Sequence, residues 1–142
     1  MSNVDFVIPR RLLILGEDLR GRNRWAVEQA RLANAFPQFR WAASGNTYQV
    51  HGKLTTNLRR QYAIYVALPS DYPHRLPKIF PNGWAIESCP HAYVEGNMCI
   101  MRPDQWRPIY SVAVAVAKAA IWLNKYEVYR HNGYWPGTEQ GH

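Results

Sequence analysis

The chain lacks both a long apolar run and a cysteine-rich framework. Its longest mostly apolar stretch, residues 112–123, is too short to span a bilayer as a helix and contains Lys118. No N-terminal segment combines the basic, apolar and small-residue parts of a signal peptide. We therefore expect a cytoplasmic protein with no membrane partner. In that compartment its two cysteines, Cys89 and Cys99, should stay reduced, which favours catalytic or metal-binding roles over a structural disulfide.

The sequence also lacks a Ser/Gly-rich linker, an internal repeat and a low-complexity segment. Its 142 residues, of which 47% are hydrophobic, can bury one full core but hardly two. These features predict a single domain that spans residues 1–142, with a short polar tail after Tyr134.

Acidic residues are scarce, because the chain has 10 of them against 17 lysines and arginines and carries a formal net charge of +7. Arginine pairs well with carboxylates and with phosphates. The sequence has no helix-turn-helix, zinc finger or aromatic-studded RNA-binding strand, so nucleic acid is the less favoured partner. Two interpretations stay open, a docking face for an acidic protein and a solvated basic surface. The arginines concerned are Arg10, Arg11, Arg20, Arg22, Arg24, Arg31, Arg40, Arg59 and Arg60.

Hydrophobic periodicity predicts an α+β protein. Residues 22–36 have apolar side chains at helical spacing and are followed by Pro37. Residues 110–129 predict a second, buried helix, because alanine content and length outweigh a short Val-Ala alternation. Between the helices, short β-branched and aromatic segments separated by turn residues predict an antiparallel meander. The predicted strands cover residues 39–43, 47–54, 61–68 and, as a short fourth strand, 78–80.

A long proline-rich stretch separates the third strand from the second helix. Residues 69–108 contain seven prolines and two glycines, which excludes long regular elements. Long irregular segments in compact domains are usually functional. We expect this stretch to be packed by its own aromatic side chains, among them Tyr93 and Trp106.

Five short elements follow one another in and beside this stretch. Cys89, Pro90 and His91 form a tripeptide that begins ten residues before Cys99, and Gly96 lies three residues before it. The other elements are Tyr72-Pro73, Pro77-Lys78 and Trp106 with Pro108. In this order and spacing the elements resemble the catalytic domain of ubiquitin-conjugating enzymes, over about residues 41–123. The family has His-Pro-Asn where this chain has Cys89, Pro90 and His91, which points to its divergent bacterial branch.

The resemblance implies a fold and a nucleophile. The fold has an N-terminal helix, an antiparallel meander sheet, a proline-rich active-site loop, a central helix and a C-terminal part shortened relative to the family. Cys99 takes the position of the cysteine that carries a thioester, and a thiolate can both accept and release an acyl group. The alternative is a buried core cysteine. We expect Cys99 to be only partly buried, between Asn97 and residues 102–105.

Two neighbours of Cys99 in the motif have competing interpretations. His91 stands at the family's Asn position, where an imidazole could donate to an oxyanion or accept a proton, or could serve only in a structural backbone contact. Cys89 is a packing residue, a resolving thiol for Cys99, or a zinc ligand with His91, Cys99 and His74. Its spacing matches no standard zinc pattern, so we expect no metal and no cofactor.

Three further residues are candidates for supporting roles. Trp106 should pack the segment after Cys99, and Asn97 precedes Cys99 by two positions. His131 comes near the family position for a residue that orients or deprotonates an incoming lysine, although no aligned motif supports the match.

The size and the altered tripeptide resemble the stand-alone conjugating-type proteins of CBASS anti-phage operons. The resemblance implies a Cys99 thioester with the C-terminal glycine of a cyclic-oligonucleotide synthase, a cGAS-like nucleotidyltransferase (CD-NTase), and a separate adenylating enzyme as a further candidate partner. Two other classes stay open. One is a catalytically inactive protein-binding scaffold, and the other is a small redox or metal protein that uses Cys89 and Cys99.

Overall fold

The computed structural model describes residues 24–137, so Arg10, Arg11, Arg20, Arg22 and the last five residues lie outside the described part. Four strands form one antiparallel sheet in the order β1-β2-β3-β4. This is the predicted α+β meander, and every predicted element is confirmed to within three residues at its described ends. In chain order the elements are α1 (Arg24–Ala35), β1 (Arg40–Ser44), β2 (Thr47–Thr55), β3 (Gln61–Ala67), β4 (Lys78–Pro81), a 3-10 turn (Pro103–Gln105) and α2 (Val112–Asn132).

The sheet buries one of its two faces. In β3 the side chains of Tyr62, Ile64 and Val66 are buried, and the residues between them are partly exposed. Val50 of β2 pairs with Val66 in the antiparallel register and is buried on the same face. Successive side chains of a strand point to opposite faces of the sheet, so these buried side chains share one face. That face packs against α2 and forms the hydrophobic core with it.

The second helix is the centre of the core. Residues 112–117 are all buried, and Trp122, Leu123 and Tyr126 continue the buried surface. A helix that is apolar on most of its sides is stable only inside a protein, which explains its Val-Ala sequence. It begins after Ser111, two residues later than predicted, and ends at Gly133, whose φ of 85° closes the last turn in the left-handed region.

A buried ionic network fixes the start of α2 against α1. Glu28 is fully buried, and its carboxylate accepts hydrogen bonds from the Val112 amide at 2.9 Å and from the Tyr72 hydroxyl. It therefore caps the first turn of a helix that begins 84 residues later. Burial and the Glu28 carboxylate raise the pKa of Tyr72 well above its usual value.

Arg24 completes this network. Its guanidinium lies 2.9 Å from Glu28 and donates to the carbonyls of Pro108 at 2.8 Å and Tyr110 at 2.9 Å. A buried carboxylate needs such a partner, because an unpaired buried charge is costly. At Arg24 neither of the two open interpretations, a docking face or a solvated surface, describes the structure, since its charged group is engaged inside the fold.

The segment after α2 returns to the helix. The Trp135 ring lies 5.3 Å from the Trp122 ring and 6.1 Å from the Tyr129 ring. The segment that contains Trp135 therefore covers the side of α2 that carries these two rings. Between β4 and α2 the regular structure consists of an isolated bridge and the 3-10 turn. Within residues 24–137 no helix is both long and apolar enough to cross a membrane.

Candidate active site

Residues 92–98 form a small hairpin that ends directly before Cys99. Ala92 and Met98 make an antiparallel bridge, and the Tyr93 amide donates to the Asn97 carbonyl at 3.0 Å. The chain reverses at Gly96, which has a φ of 100° and donates to the Tyr93 carbonyl at 2.9 Å. Three-residue hairpin loops commonly need a left-handed residue at this position, and glycine adopts it without strain. In the motif, Gly96 lies three residues before Cys99, and the hairpin turn needs its left-handed residue at this position.

The hairpin is attached to both layers of the core. The Met98 amide donates to the Ile79 carbonyl of β4 at 2.9 Å. The His91 carbonyl accepts two hydrogen bonds, one from the Cys99 amide at 2.9 Å and one from the Trp122 indole of α2 at 2.9 Å. The backbone of Cys99 is thus held between the sheet and the central helix.

Cys99 is more buried than predicted. Only 7% of the residue is exposed, so the expectation of a partly buried cysteine is wrong. The hairpin and the core contacts of its neighbours Met98 and Ile100 account for this burial. The thiol nevertheless has a polar contact, because it donates a hydrogen bond to the Tyr93 hydroxyl at 3.3 Å.

Tyr93 is the site residue whose role the sequence did not reveal. It was expected only to pack the loop, yet its hydroxyl contacts the Cys99 sulfur and its side chain reaches the surface at 39% exposure. Burial, followed by the hydrogen bond to Cys99 and the charge of that group, raises the pKa of Tyr93 to about 12. The hydroxyl therefore keeps its proton at neutral pH. The turn at Gly96 was the sequence signal that places these two residues side by side.

His91 has a backbone conformation that few residue types adopt. Its φ is 65°, in the left-handed region where Asn, Asp and His are enriched among non-glycine residues. This shared tolerance gives a physical reason why His can stand where the family has Asn. The imidazole ring packs 5.0 Å from the Trp135 ring, while the backbone carbonyl makes the contact with Cys99.

Cys89 lies in a different environment from Cys99. It is half-buried against the hydrophobic core, and burial raises the pKa of its thiol to about 11. The two cysteines are not joined by a disulfide. Across residues 24–137, no three His, Cys, Asp or Glu side chains are grouped closely enough to hold a metal ion. The zinc interpretation of Cys89, His91, Cys99 and His74 therefore has no geometric support in that range.

The remaining candidates divide into two packing residues and one distant histidine. Trp106 is buried, and its indole donates to the Pro73 carbonyl at 2.9 Å, which ties the segment after Cys99 to the Tyr72-Pro73 element. Asn97 is buried in the hairpin, where its carbonyl pairs with Tyr93. These contacts hold the shape of the loop around Cys99.

His131 is exposed on the last turn of α2 and lines a groove of about 470 Å³ with Arg60 and Glu127. It follows Trp122 by nine residues, about two and a half helical turns, so it lies on the opposite side of α2 from the indole that contacts His91. The structure therefore does not bring His131 to Cys99.

A cavity adjoins the hairpin on the side of β4. It has a volume of about 500 Å³ and is lined by Tyr93, Asn97 and Met98 on one side and by apolar residues such as Leu68 and Leu76 on the other. Lys78 and Glu95 form an ion pair at 3.0 Å and also line it. Cys99 therefore lies beneath a tyrosine that borders both the sulfur and an open, largely apolar cavity.

Comparison with known proteins identifies the family. A search of curated proteins gave no match. The family model described as Type II CBASS E2 protein (E2-CBASS) matches residues 28–142, which include most of α1, the sheet, the hairpin, Cys99 and α2. The match extends beyond the motif region to α1 and the C-terminal segment. The chain therefore belongs to the Type II CBASS E2 family, a family of E2-like, conjugating-type proteins of anti-phage defence.

Proposed function

We propose that this protein is a conjugating-type transferase that carries an acyl group as a thioester on Cys99. The observation that carries the proposal is the position of the Cys99 thiol. Cys99 directly follows the hairpin, and its thiol is hydrogen-bonded at 3.3 Å to the hydroxyl of Tyr93, a residue that is 39% exposed. Family membership supports a conjugating role, and a thiolate is suited to accept and release an acyl group.

The acyl donor is the C-terminal glycine of a cGAS-like nucleotidyltransferase, activated by an adenylating enzyme. The Cys99 thiolate attacks the carbonyl carbon of the glycyl adenylate and forms a carbon–sulfur bond. The bond between that carbon and the phosphate oxygen breaks, and AMP leaves with its electron pair. An acceptor amine then attacks the thioester carbonyl, and the carbon–sulfur bond breaks to return the thiolate. The cavity of about 500 Å³ supports this assignment, because an extended C-terminal tail needs space beside the hairpin and Tyr93 and Met98 both line that cavity.

His91 acts in the second step, as an oxyanion hydrogen-bond donor. Its carbonyl bond to the Cys99 amide fixes it beside the sulfur-bearing residue, and an imidazole can donate where the family's Asn would. Cys89 is a packing residue, since it is half-buried and lies against the hydrophobic core. The role of His131 at the incoming lysine is the least supported, because it lies across α2 from the hairpin.

The decisive experiment is intact-mass analysis after incubation with the nucleotidyltransferase, the adenylating enzyme and ATP. We expect an adduct of the mass of the nucleotidyltransferase that hydroxylamine releases, because thioesters react with hydroxylamine and amide bonds do not. Omission of ATP is the control. A complex without covalent adduct would indicate a scaffold, and loss of two hydrogens between Cys89 and Cys99 would indicate a redox protein.

A further inference from the structure

We propose that Tyr93 is a catalytic residue, whose hydroxyl donates a hydrogen bond to the Cys99 sulfur and stabilises the thiolate before loading and as the leaving group. In the unloaded protein the thiol donates to this hydroxyl at 3.3 Å. A tyrosine hydroxyl is both a donor and an acceptor. When the thiol loses its proton, the hydroxyl therefore turns its own O–H toward the sulfur without any movement of the ring.

The hairpin fixes this contact. Tyr93 and Asn97 face each other through the hydrogen bond of 3.0 Å between the Tyr93 amide and the Asn97 carbonyl, and Cys99 is bonded to the His91 carbonyl. Both partners of the hydroxyl–sulfur contact are thus set by backbone hydrogen bonds. Because the ring and the oxygen are already in place, only the O–H bond has to rotate for the hydroxyl to stabilise charge that develops on the sulfur.

Tyr93 also retains the proton that it must donate. Burial and the contact with Cys99 hold the pKa of Tyr93 at about 12, so the hydroxyl is neutral throughout the range in which a thiol ionises. The charged and titratable residues that line the same cavity are His74, Arg75, Lys78 and Glu95. Lys78 pairs with Glu95 at 3.0 Å, and Arg75 pairs with Asp71 at 2.7 Å. The His91 imidazole is the nearest histidine along the chain and packs on Trp135.

In the discharge step, the amine nitrogen attacks the thioester carbonyl carbon and the carbon–sulfur bond breaks. The electron pair of that bond passes to the sulfur, which accepts the Tyr93 hydrogen bond, and the ammonium proton passes to solvent. Tyr93 transfers no proton. The role of Tyr93 at the leaving thiolate rests on the proposed function, whereas its stabilisation of the free thiolate does not.

The first test is the pH dependence of Cys99 alkylation in Tyr93→Phe, which removes only the hydroxyl. Iodoacetamide modification is followed by mass spectrometry of the peptide that contains Cys99, so that Cys89 does not contribute. We expect the midpoint of the pH profile to rise by about one unit and the rate at pH 7 to fall about tenfold. The matched control is Tyr48→Phe, a 43% exposed residue of β2 that packs on Trp25 at 5.2 Å.

A Tyr93→Phe midpoint equal to that of the wild type, or lower, would overturn the inference. The midpoint is the required readout, because a change in access to the sulfur alters the rate without moving the midpoint. A melting temperature equal to that of the control variant establishes that the fold is intact.

The second test is single-turnover discharge of preloaded protein to an amine. We expect Tyr93→Phe to discharge about tenfold more slowly, because its leaving thiolate lacks the hydrogen bond. A shifted alkylation midpoint with wild-type discharge would overturn the leaving-group role. If the wild type forms no thioester, the proposed function fails, and the alkylation midpoint still decides whether Tyr93 stabilises the thiolate.

Discussion

The two cysteines of this protein are ten positions apart in one proline-rich segment, yet their surroundings differ in kind. Cys99 is the more buried, and its sulfur contacts the Tyr93 hydroxyl. Cys89 is less buried, and desolvation is what raises the pKa of its thiol to about 11. Exposure alone would favour Cys89 as the reactive thiol. The proposed function assigns the thioester to Cys99 instead, and the polar partner of its sulfur is the structural feature that supports this assignment.

The backbone explains the difference. Cys99 follows a hairpin whose bridge and turn return the chain beside Tyr93, and the Cys99 amide is bonded to the His91 carbonyl. Cys89 precedes Pro90 and packs against the core instead. Small changes at each cysteine should therefore have very unequal effects.

The largest expected effect separates the two thiols directly. Cys99→Ala should abolish the covalent adduct with the nucleotidyltransferase, because no sulfur remains to form the thioester, whereas Cys89→Ala should form it as the wild type does. Cys99→Ser should give an oxyester that resists discharge, since an alkoxide is a poorer leaving group than a thiolate. Intact mass and denaturing gels without reductant measure the adduct.

An adduct that persists in Cys99→Ala and disappears in Cys89→Ala would reverse the comparison. Circular dichroism of both variants is the control, because each substitution also removes a side chain from a buried or half-buried position.

The second prediction concerns His91, which follows Cys89 by two positions and whose carbonyl accepts a hydrogen bond from the Cys99 amide. His91→Asn should discharge a preloaded thioester within a few-fold of the wild type, because Asn can donate a hydrogen bond and adopts the left-handed backbone at this position. His91→Gly keeps that backbone and has no donor, so discharge should fall by roughly a hundredfold or more while loading is retained. Single-turnover kinetics from pH 6 to 9 measure both.

Two results would change this assignment. Wild-type discharge in His91→Gly would make His91 purely structural. A deep loss in His91→Asn would indicate a general base instead of an oxyanion donor, because Asn can donate a hydrogen bond but cannot accept a proton. Gly is the better deletion here, because Ala at a positive φ would add backbone strain.

The local sequence was sufficient to predict the secondary structure. The alternation in residues 61–67 and the turn at Gly45 specify strand and register, and Pro37 ends α1 after residue 35. The Val-Ala alternation at the start of α2 could indicate a strand by period alone, and alanine content and length correctly favoured a helix. These signals act over a few residues, so they can be read from a single chain.

Contacts between distant segments were not predictable in the same way. No pattern in the sequence predicts that Glu28 caps the helix that begins at Val112. Nor does any pattern predict that Arg24 pairs with Glu28 instead of lying on the surface. Cys99 was expected to be partly exposed because its neighbours in the sequence are polar, whereas its burial is decided by the hairpin and the core. The motif spacing did bring His91 and Cys99 together, but His131 was matched without a motif and lies across α2.

The third prediction compares the thiols by reactivity. Because burial raises the pKa of Cys89 to about 11, its thiolate is scarce at neutral pH and its alkylation should increase up to about pH 11. Cys99, with a hydroxyl beside its sulfur, should reach its maximum rate at lower pH. Peptide mass spectrometry after iodoacetamide pulses measures both sites in one sample. Coincident midpoints for the two cysteines would remove the distinction drawn between them.

The smallest expected effect is that of Cys89 on stability. Cys89→Ala removes a half-buried sulfur and should lower the free energy of unfolding by about 1 kcal/mol or less at pH 7.

The stabilisation by Cys89 should also depend on pH. The folded-state pKa of its thiol, about 11, lies above the ordinary 9.0. The neutral thiol therefore favours the folded state fully below pH 9, and this contribution is lost as the pH rises toward 11. Urea unfolding should therefore show the wild type losing more stability than Cys89→Ala between pH 9 and 11. Equal losses in the two proteins would mean that Cys89 is not desolvated by the core. Cys89→Ser is the matched control, because a hydroxyl of similar size in an apolar position should cost more than Ala at pH 7 and, like Ala, should show no additional loss in the alkaline range.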